Sequence, residues 1–344
     1  MKKCIGTPLF HTNNGTLSGY DDGMSGLSER MPHVLQFPGA LGTGMIVRLG
    51  RNATSTAPQL SGLHADIAVL INEYESVLSR FRDDSLLTAM GRAPHGGTFD
   101  FPDWTAGLFD LYDALCDATD GAIDPCIGED LIRLGYDAQY SFTLEADATA
   151  RLGAVHGRPT WRDDVKRVGQ HGTTLITRRA VHLDVGACGK GYLVDLIAEL
   201  ISTPELLIDA GGDLRIRSVQ PVTIALEDPD NTANAIGTAS LTTGSFCASA
   251  PSRRHWQASG QLALHHLLNA IDGQPVCDVA ATWVALDRAS ANYPTALADG
   301  LATALFVAEP DALAARFPFA CALLRPDRTA VVSRNFPGQL FIRR

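Results

Sequence analysis

Apolar residues recur at helical spacing from Leu60 to Leu78, which predicts an amphipathic helix after the polar loop Asn52 to Pro58. The same spacing predicts helices over Thr105 to Thr119, closed by the stop signal Asp120-Gly121, and over Thr295 to Val307. Ser85 is placed to cap a short helix that begins at Leu86. Shorter apolar runs read as strands: Gly42 to Leu49, Thr173 to Thr177, Ala180 to Val185, Val222 to Leu226, Thr238 to Thr242, Cys247 to Ser249 and Thr282 to Leu286. Leu206 to Ile216 reads as two strand pieces around a close backbone approach at Gly211-Gly212. Residues 138–164 follow neither period. Residues 11–30 are rich in Gly, Asn, Ser and Asp with little to bury, so a flexible arm is expected over 1–32 and order from His33 onward.

Composition narrows the possibilities. A net charge of -10 argues against general affinity for nucleic acid or an anionic membrane surface, which needs clustered Lys and Arg. The seven cysteines are scattered and include no Cys-x-x-Cys pair, so neither a zinc site nor a disulfide framework is indicated. Met1-Lys2-Lys3 is not followed by an apolar stretch of signal length, and no run reaches the roughly 18 apolar residues of a membrane helix. A cytoplasmic location is the expectation.

Candidate chemistry begins at His182 to Asp195, where an apolar run meets Gly186, Gly189 and Gly191 and then Leu193, Val194, Leu196 and Ile197 at helical spacing. Such a turn offers backbone N–H groups and a helix start to an anion, with Lys190 as a mobile cation. The spacing matches neither the Walker loop nor the dinucleotide fingerprint, and plain glycine turns of this shape are common. Asp124, held by Pro125, is suited to ligand contact or to a simple turn. A histidine of the pair His265-His266 is a candidate general base at a strand end, or a structural histidine. Asp299 and Thr303, four residues apart, share a helix face and offer oxygen donors to a hard metal; capping and back-bonding are the alternatives.

The order of these signals resembles the ApbE family of FAD:protein FMN transferases. The matching blocks are Leu41-Gly42-Thr43, Ser79 to Ser85, Asp120 to Pro125, Asp184 to Asp195, Asp209 to Asp213, Cys247-Ala248-Ser249, His266 to Pro275 and Asp299 to Thr303. The resemblance implies an α+β, ApbE-like domain over 33–344, built of two intertwined sheet-and-helix units with FAD in the cleft between them. It implies magnesium-dependent transfer of the FMN half of FAD to a Thr or Ser hydroxyl of an acceptor protein, with release of AMP. Carried over by position, Leu41, Phe81, Ala122, Ile123, Asp124, Asp184, Lys190 and Leu267 would contact FAD. Asp299, Thr303 and the backbone oxygen of Ala187 would hold the metal, and His266 would be the base. The chain departs from the family pattern at Leu41, Gly189, Ala250 and Asn269-Ala270. FAD hydrolysis to FMN and AMP, or flavin binding without turnover, are the competing readings.

Overall fold

The computed structural model describes residues 21–51, 56–258, 262–287 and 291–341. Its helices are α1 (Asp21–Arg30), α2 (Ala57–Leu78), α3 (Leu86–Gly91), α4 (Ala106–Ala118), α5 (Gly128–Arg133), α6 (Trp161–Asp164), α7 (Gly189–Glu199), α8 (Pro294–Ala304) and α9 (Pro310–Ala314). The strands preceding α7 are β1 (His33–Phe37), β2 (Met45–Leu49), β3 (Gly97–Asp100), β4 (Lys166–Val168) and β5 (Thr174–Thr177). After it come β6 (Leu206–Asp209), β7 (Leu214–Asp228), β8 (Asn231–Ser249), β9 (His255–Ala258), β10 (Leu262–His265), β11 (Leu268–Asn269) and β12 (Gln274–Pro275). The last four are β13 (Ala281–Leu286), β14 (Ala320–Leu324), β15 (Ala330–Val332) and β16 (Gly338–Leu340).

The class is α+β. A nine-stranded sheet runs β1-β2-β6-β7-β8-β13-β14-β15, with β16 pairing a second stretch of β8. A smaller sheet, β3-β5-β4, stands apart from it. Strand β13 shows why the large sheet is covered on both faces: all six of its residues are buried. Side chains alternate across a strand. Accordingly Val284 and Leu286 join the main core with α2, α4, α7 and α8, while Ala281, Trp283 and Ala285 join a second cluster with Phe246 and Phe336. A third cluster gathers Leu131, Leu134, Tyr136, Leu152, Trp256, Leu264 and Leu268, with Phe81 against it.

Most helices fall where the hydrophobic pattern predicts them, and Ser85 caps α3 by accepting a hydrogen bond from the Thr88 N–H at 3.1 Å. Four segments differ, one being Val222 to Leu226, which continues from Leu214 in the single strand β7. Of the expected arm, residues 1–20 lie outside the described residues, but Asp21–Arg30 is helical, and Leu27 and Met31 are buried against the sheet cluster. Ala180 to Val185 alternates in burial like a strand yet pairs with none among the described residues; the Asp184 N–H instead donates to the Pro125 carbonyl at 2.7 Å. The two runs expected as separate strands over 238–249 are one continuous β8.

Candidate active site

The site forms where the start of α7 meets α8. A Cβ on Gly191 would lie 2.3 Å from the Thr295 carbonyl oxygen, so only glycine permits this approach. Asp195 locks the contact. Its Oδ2 accepts from the N–H groups of Thr295 at 2.8 Å and Ala296 at 3.0 Å, and its Oδ1 accepts from the Thr295 hydroxyl at 2.6 Å. A carboxylate on one helix thus satisfies orphan donors at the start of the other.

This packing brings Lys190 to Asp299, with Nζ 3.1 Å from Oδ1 and 3.2 Å from Oδ2. Asp213, just after the Gly211-Gly212 turn, approaches the same ammonium at 2.9 Å. Both carboxylates are only 1% exposed. Burial and the neighbouring Asp213 charge raise the Asp299 pKa, against the opposing pull of Lys190. Burial disfavours the Lys190 charge, but Asp213 and Asp299 outweigh it and hold the ammonium protonated. Asp213 lies in the Asp209 to Asp213 block, and nothing in its local spacing points to Lys190.

One backbone detail bears on cation binding. In a regular helix the Gly191 N–H would bond the carbonyl four residues back, that of Ala187. Here it donates to Asp299 Oδ2 at 3.1 Å, and among the described residues the Ala187 carbonyl receives no backbone hydrogen bond. Thr303 lies one turn beyond Asp299 on α8. No group of three or more His, Cys, Asp or Glu side chains suited to a metal occurs among the described residues. The donor set is instead two carboxylates already gathered around a cation, with a freed carbonyl and a hydroxyl at sequence positions bordering them. All are oxygens, which suits a hard divalent ion.

His266 lies within electrostatic influence of the Lys190 charge. Its Nδ1 lies 3.2 Å from the Arg254 carbonyl, which can only accept, so Nδ1 carries the proton and Nε2 is left with its lone pair. Burial, then the Arg254 guanidinium, with smaller contributions from His265 and Lys190, pushes the imidazole pKa down to about 3, so it is neutral at physiological pH. Leu267 is buried, its N–H donating to His265 Nδ1 at 3.2 Å.

Asp184 is paired with Arg80, Nε to Oδ2 at 2.5 Å, and accepts from the Gly186 N–H at 2.7 Å. Burial alone would raise its pKa, but Arg80 and then the Gly186 N–H hold it below the usual carboxylate range. The Arg80 guanidinium also lies 4.1 Å from the Phe81 ring centroid and 4.8 Å from that of Tyr136. Phe81 in turn stacks on Tyr140, at 5.2 Å and 5°. Leu41 adopts φ 52° and donates its N–H to Glu75 at 2.7 Å; beside it, a Cβ on Gly42 would meet the Tyr140 hydroxyl at 3.9 Å. Gly42 and Phe81, far apart in sequence, therefore both lie near Tyr140. Neither Tyr140 nor the Arg80–Asp184 pair was marked by any periodicity.

Ala122 and Ile123 are buried, and the Ala122 carbonyl accepts from the Ala270 N–H at 3.0 Å, joining this turn to the segment that carries His266. Asp124 turns inward. Its Oδ1 accepts from the Cys126 N–H at 2.8 Å and its Oδ2 from the Trp161 N–H at 3.0 Å, so the carboxylate serves the turn itself.

Comparison with known proteins identifies the family and the fold. The model of the ApbE family matches residues 41–320. A FAD:protein FMN transferase of Treponema pallidum (strain Nichols) is 25% identical over 314 residues, 86% of this chain and 80% of that protein. One from Klebsiella pneumoniae (strain 342) is 26% identical over 242 residues, 67% and 73% of the two chains. Among solved structures, the ApbE protein of Thermotoga maritima superposes with a TM-score of 0.71 at 20% identity, covering 88% of this chain and 97% of that one. The apo flavinyl transferase ApbE of Pseudomonas stutzeri gives 0.69 at 22% identity, covering 88% and 95%. These structures share the fold, and the family match spans most of the sequence: the chain belongs to the ApbE family.

Proposed function

We propose that this protein transfers the FMN moiety of FAD to a Thr or Ser hydroxyl of an acceptor protein, releasing AMP. The observation that carries the reading is one constellation: a half-buried histidine with an unprotonated Nε2, within electrostatic reach of a lysine that bridges two buried carboxylates. A weak hydroxyl nucleophile needs a base, and a pyrophosphate needs neutralising cations. His266 and Lys190 are side chains of these two kinds, which supports the reading. The activity of its relatives, FMN transfer from FAD to protein, supplies the substrate class.

In this reading Phe81, Leu41 and Tyr140 receive the flavin ring, and Asp184, kept anionic by Arg80, offers it a hydrogen-bond acceptor. Lys190 meets the pyrophosphate. His266 Nε2 takes the proton of the acceptor hydroxyl as its oxygen attacks the FMN phosphorus. A new phosphoester P–O bond forms while the bond to the bridging oxygen breaks, and AMP departs with that oxygen. A magnesium ion held by Asp299, Thr303 and the Ala187 carbonyl would add charge neutralisation for the pyrophosphate.

The test incubates purified protein with FAD, magnesium and a Thr-containing acceptor, and follows covalent flavin on the acceptor by mass spectrometry with AMP by chromatography. Stoichiometric label and AMP are expected. AMP and free FMN without label would replace the proposal by FAD hydrolysis, and FAD binding with neither product by flavin carriage.

A further inference from the structure

Asp213 has no place among the metal ligands that the family resemblance implies, which are Asp299, Thr303 and the Ala187 carbonyl. Yet Lys190 Nζ is as close to it, at 2.9 Å, as to Asp299. The two carboxylates are not alike in their other contacts. Asp299 is also held by the Gly191 N–H, whereas Asp213 accepts from no backbone N–H among the described residues; its neighbours are the Lys190 ammonium and the Cys247 thiol. A carboxylate 99% removed from solvent whose donors are one ammonium and one weakly donating thiol is costly, because burial penalises charge and most of its lone pairs go unsatisfied. Two such groups facing one point demand a cation. When both are ionised they exceed a single ammonium by one negative charge; a divalent ion balances both.

Mobility differs too. The carboxylates are fixed by short side chains in a dry wall, while the Lys190 side chain is 27% exposed and has a flexible four-carbon stem. The same amine cannot remain between the carboxylates and also meet a pyrophosphate outside them.

Resting on the reading of this site as a metal-assisted FAD site, we propose that Asp213 is a carboxylate of the cation site and that the Lys190 ammonium is its resident cation while nucleotide is absent. The ammonium gives way to a divalent ion and turns to the phosphates when nucleotide binds. Lysine and metal thus occupy the carboxylate pair in succession, which keeps the buried charge compensated at both stages.

The experiment uses the full chain without FAD or acceptor and measures Mn²⁺ binding by the loss of the free-ion electron paramagnetic resonance signal. Lys190→Met is expected to bind Mn²⁺ at least about tenfold more tightly than the parent, and Lys190→Met/Asp213→Asn to lose that gain. No gain in Lys190→Met refutes the resident-cation role. A gain that survives in the double variant removes Asp213 from the site. Far-UV circular dichroism checks each fold, and Lys190→Gln replaces Lys190→Met if the latter does not fold. Because neither substrate is present, a failure of flavin transfer leaves this outcome unaffected, and transfer accompanied by unchanged Mn²⁺ binding overturns only the cation proposal.

Discussion

Replacing Gly191 by Ala tests whether the contact between α7 and α8 sets the geometry of the site. The added methyl would meet the Thr295 oxygen at 2.3 Å, the Thr295 carbonyl carbon at 2.6 Å and the Ala296 nitrogen at 2.8 Å. These are backbone atoms pinned by Asp195, so no side chain can rotate away. Restoring ordinary van der Waals separation requires the helices to part by about 1 Å. Overpacking of this kind costs about 1–3 kcal/mol, here toward the upper end, and is offset by about 0.5–1 kcal/mol from removing a helical glycine. A net loss near ~2 kcal/mol is expected from urea denaturation. The same displacement draws Lys190 away from Asp299, and misplacement on that scale lowers a rate by about 10²-fold, measured as initial flavin transfer. Gly62→Ala is the control: it too lies inside a helix, but its Cβ would meet nothing within 4 Å, so stability should rise slightly with transfer unchanged. If Gly191→Ala unfolds at the parental urea midpoint and transfers flavin at the parental rate, the helix contact does not position the site.

Further outcomes follow from the same geometry. His266→Ala should slow transfer by about 10²–10⁴-fold with little change in FAD affinity measured by fluorescence; a large loss of affinity with intact turnover would make His266 a binding residue. Arg80→Leu leaves Asp184 without its counter-charge at a site where the two side chains are 7% and 15% exposed, so denaturation should report a loss of about 3–5 kcal/mol. The more exposed Arg328, paired with Asp228 and Asp230, should cost no more than about 1 kcal/mol on truncation, and similar losses for the two would negate the distinction. His265 and His266 are pushed down to about 4 and about 3, mainly by burial. An unfolded histidine titrates near ~6.5, so between these values the unfolded chain binds more protons and both residues make stability rise with pH. Asp130 and Asp195, raised to about 6, act in the opposite sense below that pH, so the comparison must be between variants. The His265→Gln/His266→Gln protein should show a smaller rise in unfolding free energy from pH 4 to pH 6.5, and an unchanged rise would show that these rings are protonated in the native state.

What was legible in the sequence was local. A cap such as Ser85 and the apolar stripe of α2 involve residues within one or a few turns, and each stands out from its neighbours. Pairing is different. Ala180 to Val185 carries a strand's alternation because it lies half in the core, but its backbone donors go to a turn and not to a ladder. In β8 the long strand looked like separate pieces because Gly244, at φ 117° and with its Cβ position 2.2 Å from the Leu286 oxygen, interrupts the apolar pattern where β13 crowds it. The candidate site divides in the same way. Lys190, His266 and Asp299 announce themselves as chemistry-bearing residues, but their protonation states depend on partners that no spacing rule connects to them. His266 is neutral and correctly tautomeric through burial and the Arg254 backbone, and Lys190 stays charged through Asp213 as much as Asp299. Residue type supplies a list of possible acids, bases and cations; three-dimensional neighbours decide which role each can hold at neutral pH. Gly191 makes that dependence physical, since a residue with no side chain determines whether the lysine next to it reaches a carboxylate on another helix.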